Sequence, residues 1–120
     1  MLLGSLSFGT FAESDAAGTE IKIKSALADE RRTAEETARD KNRKPLETLK
    51  FFGLKDDMRV LELLPGGGWY TKILAPTLEE SGKLYISIGA EGAGKALSST
   101  PGFSALEVIP FDATNFSRKD

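Results

Sequence analysis

Glu62 and the three glycines that follow it are the residues whose type and spacing could do chemistry in this chain. The stretch Glu62-Leu63-Leu64-Pro65-Gly66-Gly67-Gly68 places a carboxylate near the end of an apolar run and then strips the backbone of side chains. Glycine lets backbone approach a ligand that any Cβ would push away, and Gly66 and Gly68 are spaced for that. A carboxylate in a buried strand is costly unless it meets a cation or several donors. The ammonium group of a bound amino acid would be such a cation; backbone N–H groups are the plainer alternative. The plainer reading of the glycines is a tight turn from strand to helix with no ligand at all.

A second glycine pattern points elsewhere. Gly89-Ala90-Glu91-Gly92-Ala93-Gly94-Lys95 fits the G-x-x-x-x-G-K spacing of a phosphate-binding loop, which makes a nucleotide binder the remote alternative. Ala96, however, stands where a Ser or Thr would bind Mg²⁺. Pro101-Gly102 also comes too soon for the long helix that would hold the phosphates. A dinucleotide fold meets two obstacles: Thr71 occupies the place of the third glycine, and Ile88 that of the ribose carboxylate. The chain contains no His and no Cys, which excludes an imidazole base, a thiol nucleophile, a thiolate metal site and a Ser-His-Asp triad within it.

The elements that must position these residues are legible in the periodicity. Residues 13–20 are small and polar and read as unstructured. Ile21, Ile23, Ala26 and Leu27 have a short helical spacing. Thr33 and Glu36 form a capping-box pair, so a helix is expected from Thr33 to about Lys44, where Pro45 disfavours continuation. Pro45 suits the first turn of a second helix, with Leu46, Leu49 and Phe52 on one buried face and Gly53 as its C-terminal stop. Arg59 to Leu64 reads as a strand buried on both faces. Trp69 to Glu80 reads as a helix with Ile73, Leu74 and Leu78 inward. Lys83 to Ile88 is a second strand, Lys95 to Ser99 a brief helix, and Ala105 to Pro110 a third strand. The order is that of an α/β protein: N-terminal helices, then strand-helix-strand-helix-strand, the first half of a Rossmann-like parallel sheet. Trp69 and Tyr70 read as packing residues or ligand contacts. Arg31, Arg32, Arg39 and Lys41 to Lys44 read as a solvated helix face, with a substrate or nucleic-acid patch as the alternative.

With 120 residues there is room for one domain, and 40% hydrophobic with 28% charged residues is the composition of a soluble globular one. Sixteen basic against eighteen acidic residues leave a net charge of −2, so no overall field draws in nucleic acid. No apolar run is long enough to span a bilayer. Met1 to Ala12 is short, apolar and ends in small residues, as a secretory signal does before cleavage, but it lacks a basic start. Residues 1–19 are therefore a signal remnant or a disordered tail. The first predicts a periplasmic or secreted protein, the second a cytoplasmic one.

The run Val60-Leu61-Glu62-Leu63-Leu64-Pro65-Gly66-Gly67-Gly68 resembles the first motif of class I S-adenosylmethionine-dependent methyltransferases. The resemblance is closest to a subgroup of predicted bacterial methyltransferases, often exported. It extends through Ala28-Asp29 to Arg39-Asp40, Lys44-Pro45-Leu46-Glu47-Thr48-Leu49, Phe51-Phe52-Gly53, Trp69-Tyr70-Thr71, Ile73-Leu74-Ala75-Pro76 and Gly82-Lys83-Leu84-Tyr85. Phe111-Asp112-Ala113-Thr114 is similar to the later motif whose Asp meets the adenine amino group; a cap for a following helix is the plainer role of Asp112. The resemblance implies a helical segment over 20–53 and a partial S-adenosylmethionine-binding domain over 54–120. It implies that Glu62 meets the amino group of the methionine moiety, that Leu64, Pro65, Gly66, Gly67 and Gly68 form the cofactor loop, and that Asp112 and Ala113 hold adenine. In two places the chain departs from the pattern. Leu64 stands where the family has Gly, so the loop must turn with a bulkier residue. Ile88 replaces the acid that holds the ribose, with Glu91 the nearest carboxylate.

Class I domains are built on seven strands, and only three are expected here. Two functions follow. One is a methyltransferase whose methyl acceptor is unknown and whose acceptor side comes from another chain or from self-association. The other is a non-catalytic fragment or binding module that keeps a vestigial cofactor loop.

Overall fold

The computed structural model describes residues 16–90, 97, 103 and 106–110. The segments 1–12, Glu91 to Lys95 and Asp112-Ala113, on which the signal, phosphate-loop and adenine expectations fall, lie outside the described residues. So does most of the brief helix expected at Lys95 to Ser99, of which Leu97 is described and is helical and buried.

Residues 16–27 form the first helix, α1. It starts inside the stretch expected to be unstructured because its polar residues have distant partners. The Thr19 hydroxyl accepts a bond from the Asp56 backbone N–H at 3.1 Å, and Lys22 Nζ lies 2.6 Å from Asp56 and 3.0 Å from Glu80. Ile23 and Ala26 then bury its inner face in the core.

The Thr33–Glu36 capping box forms in both directions and opens α2, Ala34–Ala38. The single helix expected from Thr33 is broken at Arg39. A second turn, α3, covers Asp40–Arg43 and ends on Lys44 with φ 46°. Pro45 opens α4, Pro45–Phe51. Its end is a Schellman motif: the Gly53 N–H bonds the Lys50 carbonyl and the Leu54 N–H the Leu49 carbonyl, both at 3.0 Å, with Gly53 at φ 75°. Of the expected inner face, Leu49 is buried and Leu46 half-buried, while Phe52 points to solvent, 75% exposed. Pro45 is buried in its place.

The strands β1 (Arg59–Leu63), β2 (Lys83–Ser87) and β3 (Leu106–Ile109) pair in parallel in the order β1-β2-β3, one half of a Rossmann-like arrangement. The chain is thus α/β with a parallel sheet. The helix α5, Thr71–Leu78, crosses from β1 to β2 and buries Ile73, Leu74, Ala75 and Leu78. Val60, Leu84, Ile86, Leu106 and Val108 belong to the same core.

The sequence expectation for β1 needs correction. It is an edge strand buried on one face only. Leu61 and Leu63 are each 53% exposed, and Val60 and Glu62 alternate with them as half-buried residues. An apolar run signals burial on both faces only where helices cover both, and here α5 lies on one. Among the described residues no helix is long and apolar enough to cross a membrane.

Candidate functional site

Register brings the C-terminal ends of β1 and β2 side by side, since Leu63 pairs with Ser87. Both chains leave the sheet through the left-handed region, on residues that resist it. Leu64 has φ 54° and Ile88 φ 58°, and Gly89 follows at 69°. For Leu and Ile this conformation costs on the order of 1–2 kcal/mol each. A β-branched residue there is a genuine outlier. Strain of this kind collects at functional sites, and these two positions share the end of the sheet at which parallel α/β proteins hold ligands. Leu64 takes the conformation that a glycine would hold without cost.

The loop closes quickly. The Leu64 N–H extends the ladder to the Ser87 carbonyl at 3.1 Å, and the Gly68 N–H turns back to the Pro65 carbonyl at 2.8 Å. Gly66 and Gly68 have φ 56° and 88°. The three glycines differ in what surrounds them. A Cβ on Gly68 would lie 3.1 Å from Leu97 Cδ1, so part of that space belongs to the core. Among the described residues a Cβ on Gly66 or Gly67 would meet nothing within 4 Å.

Beneath the loop, Glu62 is half-buried. Thr71 Oγ1, in the first turn of α5, donates to Glu62 Oε1 at 2.5 Å. Among the described residues Glu62 Oε2 has no hydrogen-bond or ion-pair partner. Burial pushes the Glu62 carboxyl above its ordinary range, and the Thr71 bond offsets this only in part. Neither the backbone donors nor the cation that would relieve the charge is supplied by the described residues. Thr71 is a site residue that the sequence reading passed over. Its signal was a hydroxyl nine positions after the carboxylate, at the helix start.

The wall of the site comes from the N-terminal helices. Trp69 Nε1 donates to the Glu36 carbonyl at 2.9 Å, and Lys72 Nζ reaches the Glu36 carboxylate at 2.9 Å and the Arg31 carbonyl at 3.2 Å. Burial pushes the Glu36 carboxyl up, but Lys72 and the Thr33 N–H pull it below the ordinary range on balance. These bonds fasten α2 to the start of α5 and leave a cleft of about 430 Å³ between α2–α3 and the loop. Its lining includes Glu35, Arg39, Arg43, Pro65, Gly66 and Gly67.

The basic residues expected on one solvated face separate into different environments. Arg32 is buried, paired with Asp40 at 2.6 Å, bonded to the Leu27 carbonyl at 3.0 Å and 5.7 Å from the Trp69 ring centre. Its removal from the solvated face is a correction: the α1–α2 turn folds it under the indole. Arg39 and Arg43 are exposed but face the cleft. Trp69 is a packing residue, 6% exposed, as one of its two expected roles requires. Compared with protein-family models, curated proteins and solved structures, the chain has no match in any of the three.

Proposed function

We propose that this chain carries the cofactor-binding half of an S-adenosylmethionine-dependent methyltransferase, with the loop from Leu64 to Gly68 as its cofactor contact. One observation carries the reading. A half-buried carboxylate, one oxygen of which has no partner among the described residues, sits under a glycine loop at the ligand end of a parallel sheet. The remaining need of Glu62 is a cation, and the ammonium of a methionine moiety supplies one. Gly66 and Gly67 leave open the space a ligand would fill.

When bound, the cofactor supplies a methyl group on a sulfonium, which leaves as a neutral thioether after transfer to a nucleophile. The chain's own work is binding and orientation. Thr71 fixes the Glu62 carboxylate, the loop backbone allows close approach, and the strained ends of β1 and β2 hold that surface in one shape. Alignment and exclusion of water supply much of the rate in such a transfer, so the lack of His and Cys is no obstacle. Asp112 and Ala113 remain the proposed adenine contacts. The acceptor is unassigned, and the charge of −2 makes nucleic acid a poor candidate.

The bare face of the sheet, with Leu61, Leu63 and Ile109 exposed, favours a second reading in which the loop binds but turnover requires a partner chain or a second copy to cover that face. Calorimetric titration with S-adenosylhomocysteine tests binding, with Gly67→Val as the control because a Cβ there meets no atom of the described residues within 4 Å. Binding to the native chain and loss in the variant are expected; equal heats from both remove the loop from the account. Methyl transfer from labelled cofactor, measured beside light scattering, separates the two readings.

A further inference from the structure

Arg39 and Arg43 stand one helical turn apart, bracketing the α3 turn on the cleft wall that faces Pro65, Gly66 and Gly67. Among the described residues neither has an ion-pair or side-chain hydrogen-bond partner. Three other basic residues nearby are committed, Arg32 to Asp40, Arg31 to Asp29 and Lys72 to Glu36, while Lys41 and Lys44 line a different hollow beside Leu27 and Pro45. The Arg43 guanidinium lies 4.6 Å from the centre of the Trp69 ring, and Trp69 is itself held by its bond to the Glu36 carbonyl. Stacking on a fixed indole restricts the guanidinium, so less freedom is lost when it binds a ligand.

We propose that Arg39 and Arg43 form a receptor for the carboxylate of a small-molecule ligand lying against the Pro65–Gly67 backbone. The guanidinium fork matches a carboxylate's two oxygens. Charge selects the ligand class. Lys72 neutralises Glu36, and Glu35 offsets one arginine, which leaves the cleft with a single net positive charge. A monoanion fits that balance; a phosphate dianion does not. The carboxylate has two sources, the α-carboxylate of the proposed cofactor or a carboxylate on the methyl acceptor. The first deepens the function proposed above and rests on it.

Trp69 is the chain's only tryptophan, so its fluorescence reports on this cleft without any turnover. The full chain is titrated with S-adenosylhomocysteine, with its decarboxylated analogue and with the monocarboxylate butyrate, in the native form and as Arg39→Gln and Arg39→Gln/Arg43→Gln. Arg39→Gln leaves the Trp69 stack in place and keeps the native melting transition, and a melt of the double variant measures what loss of the Arg43–Trp69 contact costs. The double variant is expected to weaken carboxylate binding at least roughly tenfold, since charge-assisted bonds are lost. Glu35→Gln strengthens it by removing a like charge.

If the loss appears with S-adenosylhomocysteine but not with its decarboxylated analogue, the carboxylate is the cofactor's. If it appears only with butyrate, the carboxylate belongs to an acceptor. Unchanged affinity for every carboxylate in the double variant overturns the proposal, and if Gly67→Val still abolishes S-adenosylhomocysteine binding, the proposed function survives that failure. Arginine-dependent butyrate binding without any adenosyl binding is the reverse case: the receptor stands and the cofactor reading falls.

Discussion

Gly82 and Gly67 lie at opposite ends of the sheet, one leading into β2 and the other following β1, and they are glycine for different reasons. A Cβ on Gly82 would lie 2.6 Å from the Met58 carbonyl oxygen, 2.7 Å from that of Asp56 and 2.9 Å from Leu78 Cδ2. Backbone from two segments converges there, and the Lys83 N–H bonds the Met58 carbonyl at 3.0 Å. At Gly67 the same added carbon would meet none of the described residues within 4 Å. The first glycine is demanded by packing. The second is not, and its bare surface is free for a ligand. Strain follows the same division, since Leu64 and Ile88 both hold positive φ at the Gly67 end.

The comparison breaks first at Gly82. Gly82→Ala should cost about 3 kcal/mol, because the atoms it meets are backbone that cannot step aside. A fall in melting temperature of roughly 12 °C or more would show it by circular dichroism. A change within a degree or two would mean the turn is looser than its contacts.

Leu64→Gly should act in the opposite direction. Leu64 is 70% exposed, so little burial is lost, and relief of the left-handed strain is worth up to about 1 kcal/mol in stability. Chemical denaturation measures it; a clear loss would show that the leucine side chain supports the loop.

Glu62→Gln sharpens the electrostatic side. The native carboxyl is raised above its unfolded value of 4.5, so the folded state holds its proton more tightly. Its contribution to stability therefore falls as pH rises through the interval between the unfolded and folded values. The amide variant should gain on the native protein across that interval and keep a constant lead above it. Melts at about pH 4 and about pH 7 compare the two. An equal gap at both would mean that Glu62 is charged without penalty.

The smallest stability effect belongs to Gly67→Ala, within about 0.5 kcal/mol, as for a surface change away from any contact. A large loss there would erase the distinction between the two glycines.

Local rules made much of the fold legible. Thr33 and Glu36 specify a capping box that involves only their own turn. Gly53 specifies a helix stop closed within five residues, and the alternation of apolar runs with a helical period specifies α/β order. The glycine loop was placed at the end of β1 because strand and glycines are contiguous. Burial was less legible. The run Arg59 to Leu64 looks the same whether one face or two are covered, and only the position of α5 decided that Leu61 and Leu63 stay exposed.

The sequence by itself determined where the chain turns, caps and strips its backbone bare, since those choices depend on neighbours a few bonds away. Tertiary structure decided which charges are used. It buried Arg32 beneath Trp69, joined Thr19 to Asp56, gave Glu62 one hydroxyl partner, and carried Arg39 and Arg43 to the rim of the loop. Each of these depends on elements many residues apart meeting in space, and the cost or gain of a charge is set by what surrounds it after they meet.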